Sequence, residues 1–222
     1  TFLSGDAPHS LSMWFNSSNL VSNASNSCIF SLGTEERFDH VGAAFSNTYQ
    51  TVQKLLALDK ETLDEFGYSV SMSSDGTRVI VGAYLEDTGG SNAGSAYIFA
   101  YDGSSWTQEA KIQATDKESS DQFGYSVSMN SDGTKVIVGA YLEDTGGSSA
   151  GSAYIFALSG GSWSQEAKIQ ATDKESSDQF GGSVSMSSDG TKVIVGARNE
   201  DTGGSGTGAA YIFAYDGSSW TQ

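Results

Sequence analysis

The sequence predicts an all-β chain built from tandem four-stranded antiparallel blades, and three observations predict it. The phrase DQFGYSVSMNSDGTKVIVGA, residues 121–140, recurs in near copy 57 residues earlier and 57 residues later, placing Phe-Gly pairs at Phe66-Gly67, Phe123-Gly124 and Phe180-Gly181. Each copy alternates short β-branched or aromatic runs with Gly, Asp and Ser turn signals, the pattern of hairpins rather than helices. The composition agrees, with 37% hydrophobic residues, 27 Gly and one Pro, lean for a helical protein and ordinary for a turn-rich β protein.

A fixed period of this length is the mark of a repeat architecture. Residues 109–158 and 166–215 differ at eight positions: Tyr125/Gly182, Asn130/Ser187, Tyr141/Arg198, Leu142/Asn199, Ser149/Gly206, Ala150/Thr207, Ser152/Ala209 and Leu158/Tyr215. Within one unit the first strand is YSVSM, Tyr125 to Met129. Asp132-Gly133 then reads as a tight hairpin turn, both positions tolerating positive φ. The second strand is KVIVGA, Lys135 to Ala140, nearly continuous in apolar residues as expected when both faces are covered. An acidic Gly-rich loop, EDTGGSSAG, leads to the third strand, SAYIFA, and a short turn to the fourth, SWSQEAKIQA, Ser162 to Ala171. The polar loop TDKESSDQ returns to the next Phe-Gly. Four antiparallel strands per unit match one blade of a β-propeller. The glycines after Phe and after Val predict tight bends or close approach between sheets.

FGYSVSMSSDGTRVIVGA resembles the FG-GAP repeat, the blade motif of integrin-α-type propellers of secreted and cell-surface proteins. The Phe-Gly pair and the Val-Gly-Ala triplet match in all three units, at Phe66, Phe123 and Phe180 and at Gly82, Gly139 and Gly196. The resemblance covers roughly residues 41–222 and implies a binding or display scaffold. The repeats run about 59–115, 116–172 and 173–222. Upstream, NTYQTVQKLLALDKE aligns with SSWTQEAKIQATDKE, setting Tyr49 on Trp106 and Lys54 on Lys111. Residues 49–58 therefore read as a spare fourth strand, with Tyr49, Val52 and Leu55 as assembly residues and Trp220 opening the incomplete strand at the other end. Residues 1–40 resemble part of a jelly-roll sandwich of the concanavalin or laminin-G type, carried by PHSLSMWFNSSNL and SCIFSLG. The chain opens on Thr and stops at GSSWTQ inside a repeat, so it reads as a matured or truncated piece of a longer protein.

The formal net charge of −16 argues against nucleic acid and against anionic lipid, since phosphate contacts need clustered Lys and Arg. No stretch is long and apolar enough to insert in a membrane. The single cysteine, Cys28, leaves no internal disulfide. The sequons at Asn16 and Asn23 fit N-glycosylation of a secreted protein.

Integrin-type blades carry a calcium loop between their first two strands. Here that loop offers one acid per blade, Asp75, Asp132 and Asp189, too few for a cation that takes six to eight oxygens. Asp116, Glu118 and Asp121, with their copies Asp173, Glu175 and Asp178, are the alternative, a weak calcium site. The acids of EDTGG, Glu86-Asp87, Glu143-Asp144 and Glu200-Asp201, could do the same. Such loops read first as solvated turns whose charges keep near-identical β repeats apart. No catalytic constellation stands out: the only histidines are His9 and His40, and every carboxylate pair is copied from unit to unit. Trp106, Trp163 and Trp220 recur at one strand position and read as packing residues.

These observations predict a non-enzymatic extracellular or cell-surface protein, structural or adhesive, with no required cofactor. It assembles with copies of itself into a filament or appendage through blade faces and terminal strands. The alternative is a carbohydrate- or protein-binding receptor, with specificity at Tyr125/Gly182, Tyr141/Arg198 and Leu142/Asn199.

Overall fold

The computed structural model describes residues 53–222. The laminin-G-like segment, the two sequons, Tyr49 and Val52 lie outside the described residues. Twelve strands follow in chain order: β1 Val70–Met72, β2 Arg78–Ala83, β3 Ser95–Tyr101, β4 Trp106–Ile112, β5 Ser126–Met129, β6 Lys135–Ala140, β7 Ser152–Ser159, β8 Ser162–Ile169, β9 Phe180–Met186, β10 Lys192–Ala197, β11 Ala209–Tyr215 and β12 Trp220–Thr221. They form three four-stranded antiparallel sheets, β1 to β4, β5 to β8 and β9 to β12, each a meander of sequence neighbours. The described residues are all-β, with three blades in tandem.

β6 has the bounds that its sequence predicts, because a β-branched run ends in Gly139-Ala140 where the chain must turn. The hairpin before it is looser than a two-residue turn. Only Gly133 has positive φ, at 69°, and its N–H donates to the Asn130 carbonyl at 3.2 Å. The Asp132 carboxylate instead accepts the Thr134 N–H at 3.0 Å. Asp75 and Asp189 do the same to Thr77 and Thr191, so each acid of the shortened calcium loop closes its own turn.

The hydrophobic core lies between blades. One face of blade 1 offers Ile80, Ala96 and Ile98 to Phe123, Val127, Met129, Val136 and Phe156 of blade 2. The next seam repeats it, with Ile137, Ala153 and Ile155 against Phe180, Met186, Val193, Val195 and Phe213. Burying each such side chain stabilises by roughly 1.5–3 kcal/mol. Both faces of β6 are therefore buried, whereas β10 alternates buried and more open residues. Among the described residues, no sheet lies upon the downstream face of blade 3.

Residues 53–58, the described part of the expected spare strand, pair in no sheet among the described residues. They lie along blade 1, with Leu55 and Ala57 packed against Val79, Val81, Tyr97 and Phe99. Trp106, Trp163 and Trp220 each pack at the edge of a core cluster. Tyr101 and Tyr215 lie against Trp106 and Trp220 with ring centroids 5.4 Å apart.

The glycines of the second strands hold the blades close. A methyl on Gly139 would collide with the Gly181 carbonyl of blade 3 and with Ser126 Oγ, whereas on Gly196 its one close neighbour would be Ser183 Oγ, which can turn aside about χ1. Gly139→Ala should cost about 2–3 kcal/mol and Gly196→Ala no more than about 0.5 kcal/mol. Urea unfolding reads both, and equal losses would contradict the close approach.

Candidate functional site

The seam between blades is the most specific structure in the molecule. Residues 120–123 run beside residues 91–94 of the preceding blade. Ser120 N–H donates to Ser91 O at 2.8 Å, Gln122 N–H to Asn92 O at 3.1 Å and Phe123 N–H to Ala93 O at 2.9 Å. Ser177, Gln179 and Phe180 repeat the pattern on Ser148, Ser149 and Ala150 at the same three distances. Gly94 and Phe123 form a parallel bridge, as do Gly151 and Phe180. The Phe123 ring then drops into its own blade, edge-on to Tyr154 and Phe156 at 5.6 and 5.9 Å. Serines add rungs between first strands: Ser69 Oγ accepts the Val127 N–H at 3.0 Å, Ser71 Oγ that of Met129 at 3.1 Å and Ser128 Oγ that of Met186 at 3.0 Å.

On blade 3, among the described residues, the same socket is open. Gly182, Gly196, Arg198, Gly208 and Ala210 are among the residues lining a cavity of about 610 Å³. Gly196 and Gly208 are the counterparts of Gly82 and Gly94, against which Phe123-Gly124 lies.

The acidic loops come together by a route that the sequence reading missed. Lys168 Nζ lies 2.7 Å from Asp116 Oδ2, 2.9 Å from Glu143 Oε1 and 3.0 Å from Thr145 Oγ1, over the Tyr154 ring. Lys111 clamps Asp59, Glu86 and Thr88 identically. A lysine ammonium thus stands between the carboxylates. The signal was available as a constant spacing of 25 residues from Glu86 to Lys111 and from Glu143 to Lys168. Burial alone pushes the Glu143 carboxyl up, but hydrogen bonds from Ser152, Thr145 and Lys168 outweigh it and bring it below its ordinary value. Asp116 is lowered in the same way, burial opposed chiefly by Lys168.

Asp116, Glu118 and Asp121, proposed together from sequence, do line one cavity of about 220 Å³ with Glu143 and Asp144. Asp121 accepts the Glu118 N–H at 2.7 Å, and Asp178 accepts that of Glu175 at 2.6 Å. Asp173 lies beside Tyr211. Among the described residues no three His, Cys, Asp or Glu side chains are grouped to hold a metal ion.

A row of tyrosines crosses the blades where the repeats diverge. Ring centroids are 4.5 Å apart for Tyr84 and Tyr68, 4.9 Å for Tyr68 and Tyr125, and 4.2 Å for Tyr125 and Tyr141. Arg198 ends the row, its guanidinium 5.6 Å above Tyr141. The sequence singled out Tyr125, Tyr141 and Arg198 but not Tyr68 and Tyr84, because these do not vary against a neighbouring copy. The hydrogen bond to Tyr125, with burial next, pushes the Tyr68 hydroxyl up to about 12.

Comparisons with known proteins come to the same repeat. A family model described as FG-GAP repeat matches residues 49–99, 106–156 and 163–213. Its matches begin one strand earlier than the repeat bounds read from the sequence. No curated protein matches the chain. Among solved structures the chain is similar to Sqt1 of Saccharomyces cerevisiae, at 9% identity and TM-score 0.46 over 73% of this chain and 36% of that one. It is similar to hydrazine synthase of Kuenenia stuttgartiensis at 12% and 0.45, over 75% and 38%. It is also similar to TolB from Acinetobacter baumannii at 14% and 0.38, over 69% and 31%. The chain spans less than two fifths of the length of each.

Asp121 supplies a pH test. Burial, helped by Glu143, Glu118 and Asp116, raises its carboxyl from 3.8 to about 6. Between those values the unfolded chain has released the proton and the folded one holds it, so this group lowers stability as pH rises. Asp121→Asn should raise Tm at pH 7, with the gain shrinking toward zero below pH 4. A gain that is constant with pH would contradict the assignment.

Proposed function

Because the chain belongs to the FG-GAP repeat family, we propose that it is a non-enzymatic extracellular structural and adhesive protein that assembles with copies of itself through its blade faces and terminal strands, without a cofactor. The observation that carries this reading is a matched pair of open faces. Ile194 and Ile212 of blade 3 are 43% and 61% exposed, while their counterparts Ile80, Ile98, Ile137 and Ile155 are fully buried. On blade 1, Val70 and Met72 are 65% and 58% exposed, while Val127 and Met129 are buried. These are the two halves of the seam that forms twice within the chain. Blade 1 of a second copy, set on blade 3 of the first, would repeat it a third time.

Such a contact is head-to-tail, so it closes into a ring or continues as a filament according to the rotation per copy. Two copies would place six blades in a ring, within the range that propellers use. The net charge of −16 opposes association through like-charge repulsion, which salt screens. The extracellular setting rests on the resemblance to secreted and surface blades and on the sequons at Asn16 and Asn23.

A second reading, a receptor for glycans or for a surface protein, is favoured by the tyrosine row ending on Arg198, an aromatic surface of the kind that stacks on planar or apolar ligand faces. A glycan array with no signal, with and without calcium, would remove its carbohydrate form.

Light scattering across a concentration series tests the assembly. The wild type should form species above 23.2 kDa, more so as salt rises. Ile212→Asp, at an exposed position, should keep the fold and stay monomeric. A wild type that is monomeric at high concentration and high salt would overturn the proposal.

A further inference from the structure

Four of the described tyrosines gather in one cluster, and at its centre is a pair that spans the first seam. Tyr68 and Tyr125 hold the same place in successive blades, 57 residues apart. Their ring centroids are 4.9 Å apart and the ring planes are inclined by 41°. Tyr84 flanks Tyr68 at 4.5 Å and Tyr141 flanks Tyr125 at 4.2 Å. No other described tyrosine stacks on a second one. Tyr97, Tyr154 and Tyr211 are buried against Phe66, Phe123 and Phe180, and Tyr101 and Tyr215 lie on Trp106 and Trp220.

The pair is anchored on both sides. Ser69, next to Tyr68, accepts the Val127 N–H across the seam at 3.0 Å. Gly124, next to Tyr125, sets its carbonyl against Gly82. The Tyr68 hydroxyl is raised to about 12, by the hydrogen bond with Tyr125 first and by burial next. The two hydroxyls, and the ring carbons ortho to them, therefore face one another. Tyr68 is 49% exposed and Tyr125 is partly exposed, so an oxidant in solution can draw an electron from either. The seam itself does not demand this pair. Gly182 takes the place of Tyr125 in blade 3, and the second seam still makes the same three backbone hydrogen bonds. Tyr141 lies nearer to Tyr125 than Tyr68 does, but the Arg198 guanidinium stands 5.6 Å above its ring, a positive charge that opposes removal of an electron there.

We propose that Tyr68 and Tyr125 are an oxidative cross-linking site, joined ring to ring as dityrosine, so that blade 1 is stapled covalently to blade 2. The co-reactant is hydrogen peroxide, acting through a haem peroxidase outside this chain. Each phenol loses one electron and one proton. The two phenoxyl radicals combine in a bond between the ring carbons ortho to their oxygens. The hydrogens on those carbons then move to the oxygens and restore two phenols. Peroxide takes up the two electrons and two protons, its O–O bond breaks, and it leaves as two waters. Rings already held in contact couple within the chain faster than with a tyrosine that must arrive by diffusion. The link closes a loop between residues 57 apart and so restricts the unfolded chain. The inference rests on the first seam alone and is independent of self-assembly.

Peptide mapping tests the proposal. The full chain, in dilute solution, is treated with hydrogen peroxide and a haem peroxidase, digested with trypsin and read by mass spectrometry. Cleavage after Lys and Arg places Tyr68 in peptide 61–78, Tyr84 in 79–111, Tyr125 in 118–135 and Tyr141 in 136–168. The expected product joins 61–78 to 118–135, two hydrogen atoms lighter than the two peptides together, and comes from a chain that runs as a monomer in denaturing electrophoresis. Tyr68→Phe and Tyr125→Phe keep the rings and should each abolish that product. Tyr101→Phe, at the tyrosine on Trp106, should leave it unchanged. A free tyrosine peptide in the same reaction shows that the oxidant works. If that peptide couples while the chain forms no dityrosine, or forms it only between chains or only at other pairs, the proposal is overturned.

Discussion

Two backbones that must touch set the architecture of this protein. Gly82 and Gly139 sit in the second strand of one blade directly against the carbonyls of Gly124 and Gly181 in the next. No side chain fits between them. That approach lets residues 120–123 and 177–180 run beside the loop of the preceding blade and form three backbone hydrogen bonds there. It also brings Ile80 and Ile98, or Ile137 and Ile155, down upon the next sheet. Remove the glycine contact and the sheets separate by about one atomic layer, which removes dispersion contacts across the whole seam. The Phe-Gly pair is thus as much a connector between blades as an element of one blade.

The polar network follows the same logic. Blades 1 and 2 each bury a glutamate, Glu86 or Glu143, and supply a lysine 25 residues on to hold it. The lysine also reaches an aspartate 52 residues upstream, Asp59 or Asp116, in the loop that leads into the blade from its predecessor. The ion pair therefore ties a blade to its entry loop, and a partly buried triad of this kind is expensive to break by removing one member. Repetition of apolar seam and polar clamp together makes stability close to a sum of blade terms and nearest-neighbour terms. Blade 2 has neighbours on both sides, while blade 3, among the described residues, has one face without a sheet upon it.

What could be read from sequence was whatever is periodic within a unit. The strand bounds Lys135 to Ala140, the Phe-Gly spacing and the demand for glycine at Gly139 all follow from local chemistry repeated three times. The described part of the spare strand, Gln53 to Leu58, pairs in no sheet among the described residues and instead lies along blade 1, with Leu55 and Ala57 in its core, because strand pairing needs a partner edge. The Asp132-Gly133 turn is wider than its dipeptide suggests, since Asp132 spends its carboxylate on Thr134 and only Gly133 takes positive φ. The acidic loops looked like solvated turns or a weak cation site because their lysine comes from a distant strand. Identical apolar runs in β6 and β10 acquire different burial from what covers them, which no single strand encodes. The tyrosine row escaped notice for a related reason: Tyr68 and Tyr84 meet Tyr125 only across a seam.

The central claim is that the blades are joined by the Phe-Gly connector into one cooperative stack. Native-state hydrogen exchange at the Phe123 and Phe180 amides tests it most directly, since both donate only across a seam. The account predicts that these two amides open with the same free energy as Ile137 and Ile155 in the middle of the blade 2 sheet, so that all four report global unfolding. Exchange of Phe123 and Phe180 through local opening several kcal/mol below that value, with the sheet amides still protected, would show the blades to be independent hairpin units merely strung together.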